Sequence, residues 1–389
     1  MIKSKIQNYF LKRSCTMLGV GPMSVNCVDS AIELSNEYNA PIILIASRRQ
    51  IDSEQFNGGY VSNWITSDFA KYVRNKDKKG KIILARDHGG PWQNNKEIEQ
   101  NMSLDQAMRS AKDSFRSDID AGIEVLHIDP SIDVHGLVTK DKSLDRLFEL
   151  YEYCWDYAKK NNKEIAFEVG TEEQSGSTNT PDDLNETLNA IEKFCSKNKI
   201  PFPTFVVVQI GTKVMETRNI GTFDSPMRVE NEIAAEIQVP KMIEICKNFN
   251  VFMKEHNTDY LSNESLLWHP RLAIHAANVA PEFGVAETNA LLQILENNDL
   301  GLLAIKFIEL SYNSKKWQKW ILPNSTTSIR EKAIISGHYV FSTPECIELK
   351  KEASLNLKKK GIDLDIHLRN QVKKSIFRYM YNFRLAETT

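Results

Sequence analysis

Short unbroken apolar runs alternate along this chain with longer stretches in which apolar residues recur at helical spacing. The runs fall at 17–22, 42–46, 82–85, 123–129, 164–169, 205–209, 251–256 and 272–276. Runs of that length without polar alternation predict strands buried on both faces, the pattern of a parallel sheet. Between them, Val25, Val28, Ile32 and Leu34 mark a helix over 24–38, and further helices are expected at 67–73, 103–121 and 144–159. After Pro281 the pattern turns helical and stays so, over 285–295, 302–312 and 364–385.

Eight strand-then-helix units make an α/β protein, a (β/α)8 TIM barrel with an appended C-terminal helical region. The expected division is residues 1–283 for the barrel and 284–389 for a helical extension packed on it. A doubly wound nucleotide-binding sheet competes, but no G-x-G-x-x-G follows the first run and no phosphate-cradling loop is recognisable.

The barrel reading sorts the polar residues by place, because strand carboxyl ends converge on one mouth. The third strand ends in Asp87-His88, the fourth in His127 and Asp129, and the fifth in Glu168 with Thr171-Glu172-Glu173. Gln209 closes the sixth and His256-Asn257-Thr258-Asp259 the seventh. Neighbours in a strand point to opposite faces, so Asp87 and His88 share one only if the chain is already turning, as Gly89-Gly90-Pro91 suggests. Two imidazoles, His88 and His256, with a carboxylate or amide suit zinc or a related divalent ion. Ligands from separate strands leave no local motif, so a capping Asp and packed histidines stay open beside the metal reading. His127, His135, His269, His338 and His367 read as structural, with His127 the nearest to the site through its shared face with Asp129. Trp317 and Trp320 read as packing, and the small polar loop 173–181 as either a lid or a solvated turn.

Composition acts mainly by exclusion. The chain has 389 residues, 41% hydrophobic and 26% charged, with a net charge of -2. That balance carries no footprint for nucleic acid or an anionic membrane, and no run approaches the roughly 18 apolar residues that cross a bilayer. Six scattered cysteines without a C-x-x-C pair predict reduced thiols, and no signal-length apolar core follows the first charges, so a cytoplasmic location is expected.

Several stretches together resemble one family: Gly58-Gly59-Tyr60, Asp87-His88 with Gly90-Pro91, Gly122 through His127 and Asp129, Gly170-Thr171-Glu172, Val207-Val208-Gln209, and Glu255-His256 with Thr258-Asp259-Tyr260. They are similar to the tagatose-bisphosphate aldolase accessory-subunit family, also described as tagatose-6-phosphate kinase-like and related to class II fructose-bisphosphate aldolases. The resemblance implies a TIM barrel, a divalent metal (zinc first, with Mg, Mn, Co or Ni as alternatives) and ketose-phosphate chemistry. Asp87 is then the proton shuttle at the C4 hydroxyl, with His88 and His256 as metal ligands. The aldolase pattern places a further histidine near Val214, which this chain lacks, so Glu172 or Gln209 is expected to complete the shell.

The implied activity is metal-dependent ketose-phosphate 4-epimerisation or an aldolase-like reaction through retro-aldol C3–C4 cleavage. The alternative is a non-catalytic subunit stabilising a class II tagatose-bisphosphate aldolase. Asp129 and Asp259 are candidates for a second acid-base group. Family members tend to carry a lysine in the eighth strand, where this chain has His275-Ala276-Ala277-Asn278. Arg48, Arg49 and Arg86 are therefore candidate phosphate-binding cations, and Asn257, Thr258 and Asn278 candidate substrate contacts. The expected partners are a sugar phosphate and either a second copy of the chain or an aldolase subunit.

Overall fold

Eight parallel strands close into a barrel, each pairing with the next and the last returning to the first. They are β1 (Met17–Val20), β2 (Ile42–Ser47), β3 (Ile82–Gly89), β4 (Val125–Ile128), β5 (Ala166–Val169), β6 (Phe205–Val207), β7 (Phe252–Glu255) and β8 (Ala276–Val279). The computed structural model describes residues 2–170, 180–225, 227 and 233–386.

Every residue of β1, β4, β5 and β8 is buried, as a sheet covered by helices outside and side chains within requires. Inside the barrel the period-two alternation builds layers. Met17, Ile43, Ile45, Ala85, Val125, Ala166, Phe205 and Ala276 form an apolar layer toward the amino end. Two residues further along four of those strands stand Asp87, His127, Glu168 and Asn278, so the layer toward the carboxyl end is polar. The helix Ile2–Lys12, which the apolar pattern did not predict, closes the amino end by burying Ile2 and Ile6 in the interior cluster. Its backbone N–H at Ile2 donates to Glu164 at 2.6 Å, and Lys3 Nζ donates to the Asn250 carbonyl at 2.8 Å.

The eighth strand lies later than the apolar run suggested. Leu272 caps the helix Asn263–Arg271 with its N–H on the Trp268 carbonyl, and Ala273 takes a positive φ of 61°. The chain is still turning there, so pairing with β1 begins only at Met17↔Ala276. The shift puts Asn278 beside the third strand's end.

The helices Pro281–Glu296, Gly301–Asn313, Ile329–Ser336 and Pro344–Lys358 gather around a second apolar cluster that includes Leu291, Leu295, Phe307 and Leu357. The final helix, Leu364–Asn382, contributes Leu368 to that cluster and Ile376, Tyr379 and Met380 to the barrel's own core. Among the described residues no helix is long and apolar enough to cross a membrane.

Candidate metal centre and active-site cavity

The strand β3 ends irregularly, and that irregularity builds the site. Its register against β4 shifts between Arg86 and Gly89, and His88 adopts a φ of 47°. A left-handed non-glycine residue costs on the order of 1 kcal/mol or more and persists only where its surroundings hold it. Here the kink turns Asp87 and His88 to the same mouth instead of opposite faces. Gly90 permits the turn, since a Cβ there would lie 2.0 Å from the Asp129 carbonyl oxygen.

Three imidazoles meet above the polar layer. The ring centroids of His88 and His127 lie 5.2 Å apart, those of His88 and His256 5.0 Å, and those of His127 and His256 5.2 Å. One donor atom from each lies within 4.8 Å of the other two, and Asp87, His127, Glu168 and His256 form an overlapping group of the same compactness. The backbone N–H of His88 donates to His127 Nδ1 at 3.2 Å, and His256 Nε2 donates to Glu168 at 3.1 Å. Lys254 Nζ donates to the other oxygen of Glu168 at 2.6 Å, and Asn278 donates to Asp87 at 3.2 Å.

The electrostatics follow from that crowding. Burial alone would raise Asp87, but the His88 charge, with the His127 and His256 rings each 3.8 Å away, outweighs it and holds the carboxyl well below the usual range. Burial likewise opposes ionised Glu168, yet Lys254 and the histidines bring it down to about 2. Burial disfavours charged His88, but Asp87 and Asp129 raise it to about 9. Burial pushes Asp259 up to about 8, helped by the Glu282 charge and opposed by the backbone N–H groups that it accepts.

The donor set fits a divalent cation. Asp87, Asp129 and Glu168 against Lys254 leave three negative charges and one positive, a surplus of two. Protonation of His88 offsets part of that surplus when no ion is bound. His127 Nδ1 lies 3.8 Å from Asp87 and 3.7 Å from Glu168, and His256 Nε2 lies 3.8 Å and 3.1 Å from the same two carboxylates, so one nitrogen of each ring faces the donor group, and neutral imidazole is the commonest metal ligand. Asp129 accepts from His88 Nδ1 at 2.5 Å and is itself held by Gln93 at 2.9 Å and the Ser131 N–H at 3.0 Å. A carboxylate behind a histidine fixes ring tautomer and direction, the usual support of a metal-binding imidazole.

Of the residues singled out in the sequence, Asp87, His88 and His256 come together, and Asp129 stands behind His88. A cavity of about 170 Å³ above them is lined by Arg49, Asn257, Asp259 and Asn278 as well. Thr258 is buried outside that lining, with its N–H on the Asn278 carbonyl. Gln209 is buried two residues beyond the end of β6. Glu172 and the loop positions 173–179 lie outside the described residues. Arg48 and Arg86 do not line the cavity. Arg48 pairs with Asp52 at 3.1 Å and Glu97 at 2.7 Å, and Arg86 with Asp118 at 2.6 Å, all buried. Those guanidiniums hold the loop after β2 and the helix Leu104–Ala121 to the barrel.

In the sequence His127 reads as structural and Glu168 as one polar strand end among several, and Lys254 carries no distinguishing feature. The missing signal was strand parity. Val125-x-His127 and Ala166-x-Glu168 repeat the inward phase of Ala85-x-Asp87, and His127 pairs directly with Glu168 in the β4–β5 register. The space for His127 is itself marked, because a Cβ on Gly170 would lie 2.8 Å from His127 Nε2. Gly170→Ala is therefore expected to lower metal affinity about tenfold, at the mild end of disturbances to ligand support, while leaving the far-ultraviolet circular dichroism unchanged; metal titration checks it.

The same fold occurs in known structures. A probable tagatose 6 phosphate kinase from Sinorhizobium meliloti 1021 superposes with a TM-score of 0.74 at 17% identity, covering 94% of this chain and 100% of that one. The fructuronate-tagaturonate epimerase UxaE from Cohnella laeviribosi gives 0.58 at 11% identity, covering 95% and 81%. The YdjI aldolase from Escherichia coli K12 gives 0.52 at 14% identity, covering 99% and 97%. At these identities the likeness establishes the barrel alone. The family model described as D-tagatose-1,6-bisphosphate aldolase subunit GatZ/KbaZ-like matches residues 12–296. A match over that much of the sequence, across every strand of the barrel, makes this chain a member of the GatZ/KbaZ-like family.

Proposed function

We propose that this protein is a metal-dependent ketose-phosphate 4-epimerase or aldolase-like enzyme that breaks and re-forms the C3–C4 bond. The observation that carries the reading is the Asp87 carboxylate beside His88 and His256 in one cavity, with His127 buried in the same compact donor group and a second carboxyl, Asp259, across the mouth. His88, His127 and His256 would hold the ion, with Glu168 beside them. When bound, a divalent cation supplies Lewis acidity at a chelated carbonyl and hydroxyl.

The rest falls to side chains of this chain. Asp87, kept anionic, takes the proton of the C4 hydroxyl; the C4–O bond becomes a carbonyl and the C3–C4 electron pair stays on C3, delocalised into the C2 carbonyl. For epimerisation the aldehyde turns its other face, the bond re-forms, and the C4 oxygen must regain a proton from a second group. Asp259 is suited to that role because its environment keeps the proton to higher pH, and two carboxyls driven apart in this way divide base and acid work. Asn278 orients Asp87. Asp129 serves by holding His88, not by touching substrate.

A second reading, a non-catalytic partner of a class II tagatose-bisphosphate aldolase, is favoured by one feature. Lys254 takes one oxygen of Glu168, and an ammonium there competes with a metal for that carboxylate. Incubating metal-loaded protein with a panel of ketose phosphates under NMR decides between the two: 4-epimer or cleavage products support the enzyme, and none with metal bound supports the partner.

Asp259 also predicts a pH dependence. Its folded value of about 8 stands above the ordinary 3.8, so the fold favours the protonated form. The stability it contributes is fully present below pH 4 and lost as pH rises through 8. Asp259→Asn should remove that part of the decline in urea-unfolding free energy between pH 4 and 8, and should abolish an alkaline limb of turnover near pH 8.

A further inference from the structure

The cavity over the histidines does not end at the barrel mouth. It adjoins a second cavity of about 540 Å³, and Arg49, Tyr60, Lys319 and Tyr339 line both. Arg49 follows β2, whereas Lys319 belongs to the single turn Gln318–Trp320 of the C-terminal region. That turn is fastened in place. The Glu216 N–H donates to the Trp320 carbonyl at 2.6 Å, and Trp320 Nε1 donates to the Tyr339 hydroxyl at 3.1 Å. The Tyr339 ring lies 4.8 Å from that of Tyr60, and the Ser62 N–H donates to Ser342 at 2.7 Å. The C-terminal region thus forms one wall of the neck between the cavities.

The neck is cationic. Lys316 lines the second cavity with Arg49 and Lys319, and burial, with the nearby Arg49 and Lys316 charges, pulls the Lys319 ammonium down to about 7, where an incoming anion would restore its charge. None of the three has a carboxylate partner among the described residues. Arg49 Nε donates to the neutral Asn95 side chain at 3.1 Å, and Lys319 Nζ stands over the rings of Trp320 at 4.6 Å and Tyr339 at 5.5 Å. Solvated surface lysines scatter, and like charges gathered in a concave site raise the local concentration of anions instead. A guanidinium suits the planar or tripodal oxygens of carboxylate and phosphate.

We propose that Arg49, Lys316 and Lys319 recognise a terminal anionic group, phosphate or carboxylate, on the ketose, so that the C-terminal region completes the substrate site. The sugar half of this assignment rests on reading the histidine cavity as the reaction site. With one end of the ketose at the histidines, the neck receives the other. Arg49, one of the candidate cations singled out in the sequence, is then joined by Lys316 and Lys319 from a distant part of the chain.

The test is calorimetric binding to the full chain, wild type against Lys319→Gln, Arg49→Gln and Lys319→Arg, with inorganic phosphate, fructose 6-phosphate, fructuronate and fructose as probes. The wild type should bind at least one anionic sugar about tenfold more tightly than fructose, the size of one charge-assisted contact. The glutamine variants should lose that advantage, and Lys319→Arg should restore most of it. Whether fructose 6-phosphate or fructuronate binds better identifies phosphate or carboxylate as the group. Undiminished anion binding in the glutamine variants, or no anion preference in the wild type, overturns the proposal. Inorganic phosphate binding does not depend on turnover, so a failure of the epimerase reading leaves this result distinguishable.

Discussion

Replacing any one of His88, His127 or His256 by Ala is expected to reduce the affinity for zinc by more than about a hundredfold, because losing a support behind a ligand already costs 10–100-fold. Each change removes one of three converging donors. His127→Ala is the most informative, since its place in the donor group rests on strand parity and the β4–β5 pairing and on no local motif. Its ring is buried, so the variant leaves a small polar void, and thermal unfolding should be followed beside metal titration. Asp129→Asn provides the graded control. It removes the charge behind His88 and keeps the shape, and should fall between wild type and the alanine variants. Equal metal content in wild type and all three alanine variants would remove the ion from this site altogether.

Asp87→Asn should retain metal and fold yet lose turnover by roughly 10²–10⁴-fold, the range for removing a positioned general base. The amide preserves the hydrogen bond with Asn278 but cannot take a proton. Retro-aldol chemistry makes a second demand on the same experiment. The base acts on the C4 oxygen, so the C4 hydrogen stays bound to carbon throughout, and product formed in D₂O should carry no deuterium at C4. Deuterium there would mean deprotonation at carbon and would exclude the mechanism while leaving the metal site standing. An unimpaired Asp87→Asn would remove Asp87 from the chemistry.

Much of the architecture was written locally. Eight doubly buried strands declare themselves by apolar runs that neither an amphipathic helix nor a half-exposed strand would carry, and their number and order imply a closed barrel. Polar strand ends such as Asp87, His88 and His256 are legible for the same reason, since a barrel brings every carboxyl end to one mouth. The boundaries of β8 were not, because Leu272 and Ile274 satisfy a strand pattern as well as they satisfy the helix cap and turn they occupy.

What only the tertiary structure decided is which polar groups share a centre. His127 and Glu168 become neighbours through the pairing of β4 with β5, a long-range register that no window of sequence contains. The shared direction of Asp87 and His88 depends on a left-handed residue held against the β4 register. Arg48 and Arg86 read as free cations because charge is visible in a sequence and a distant partner is not; folding brings Glu97 and Asp118 to them. The converse holds for Lys319, which reads as one more surface lysine until the C-terminal helices carry it back beside Arg49. Local pattern determines which elements form, since burial and periodicity are properties of neighbouring residues, whereas the composition of a site depends on contacts between residues distant in the chain, which only the closed barrel and its returning helices create.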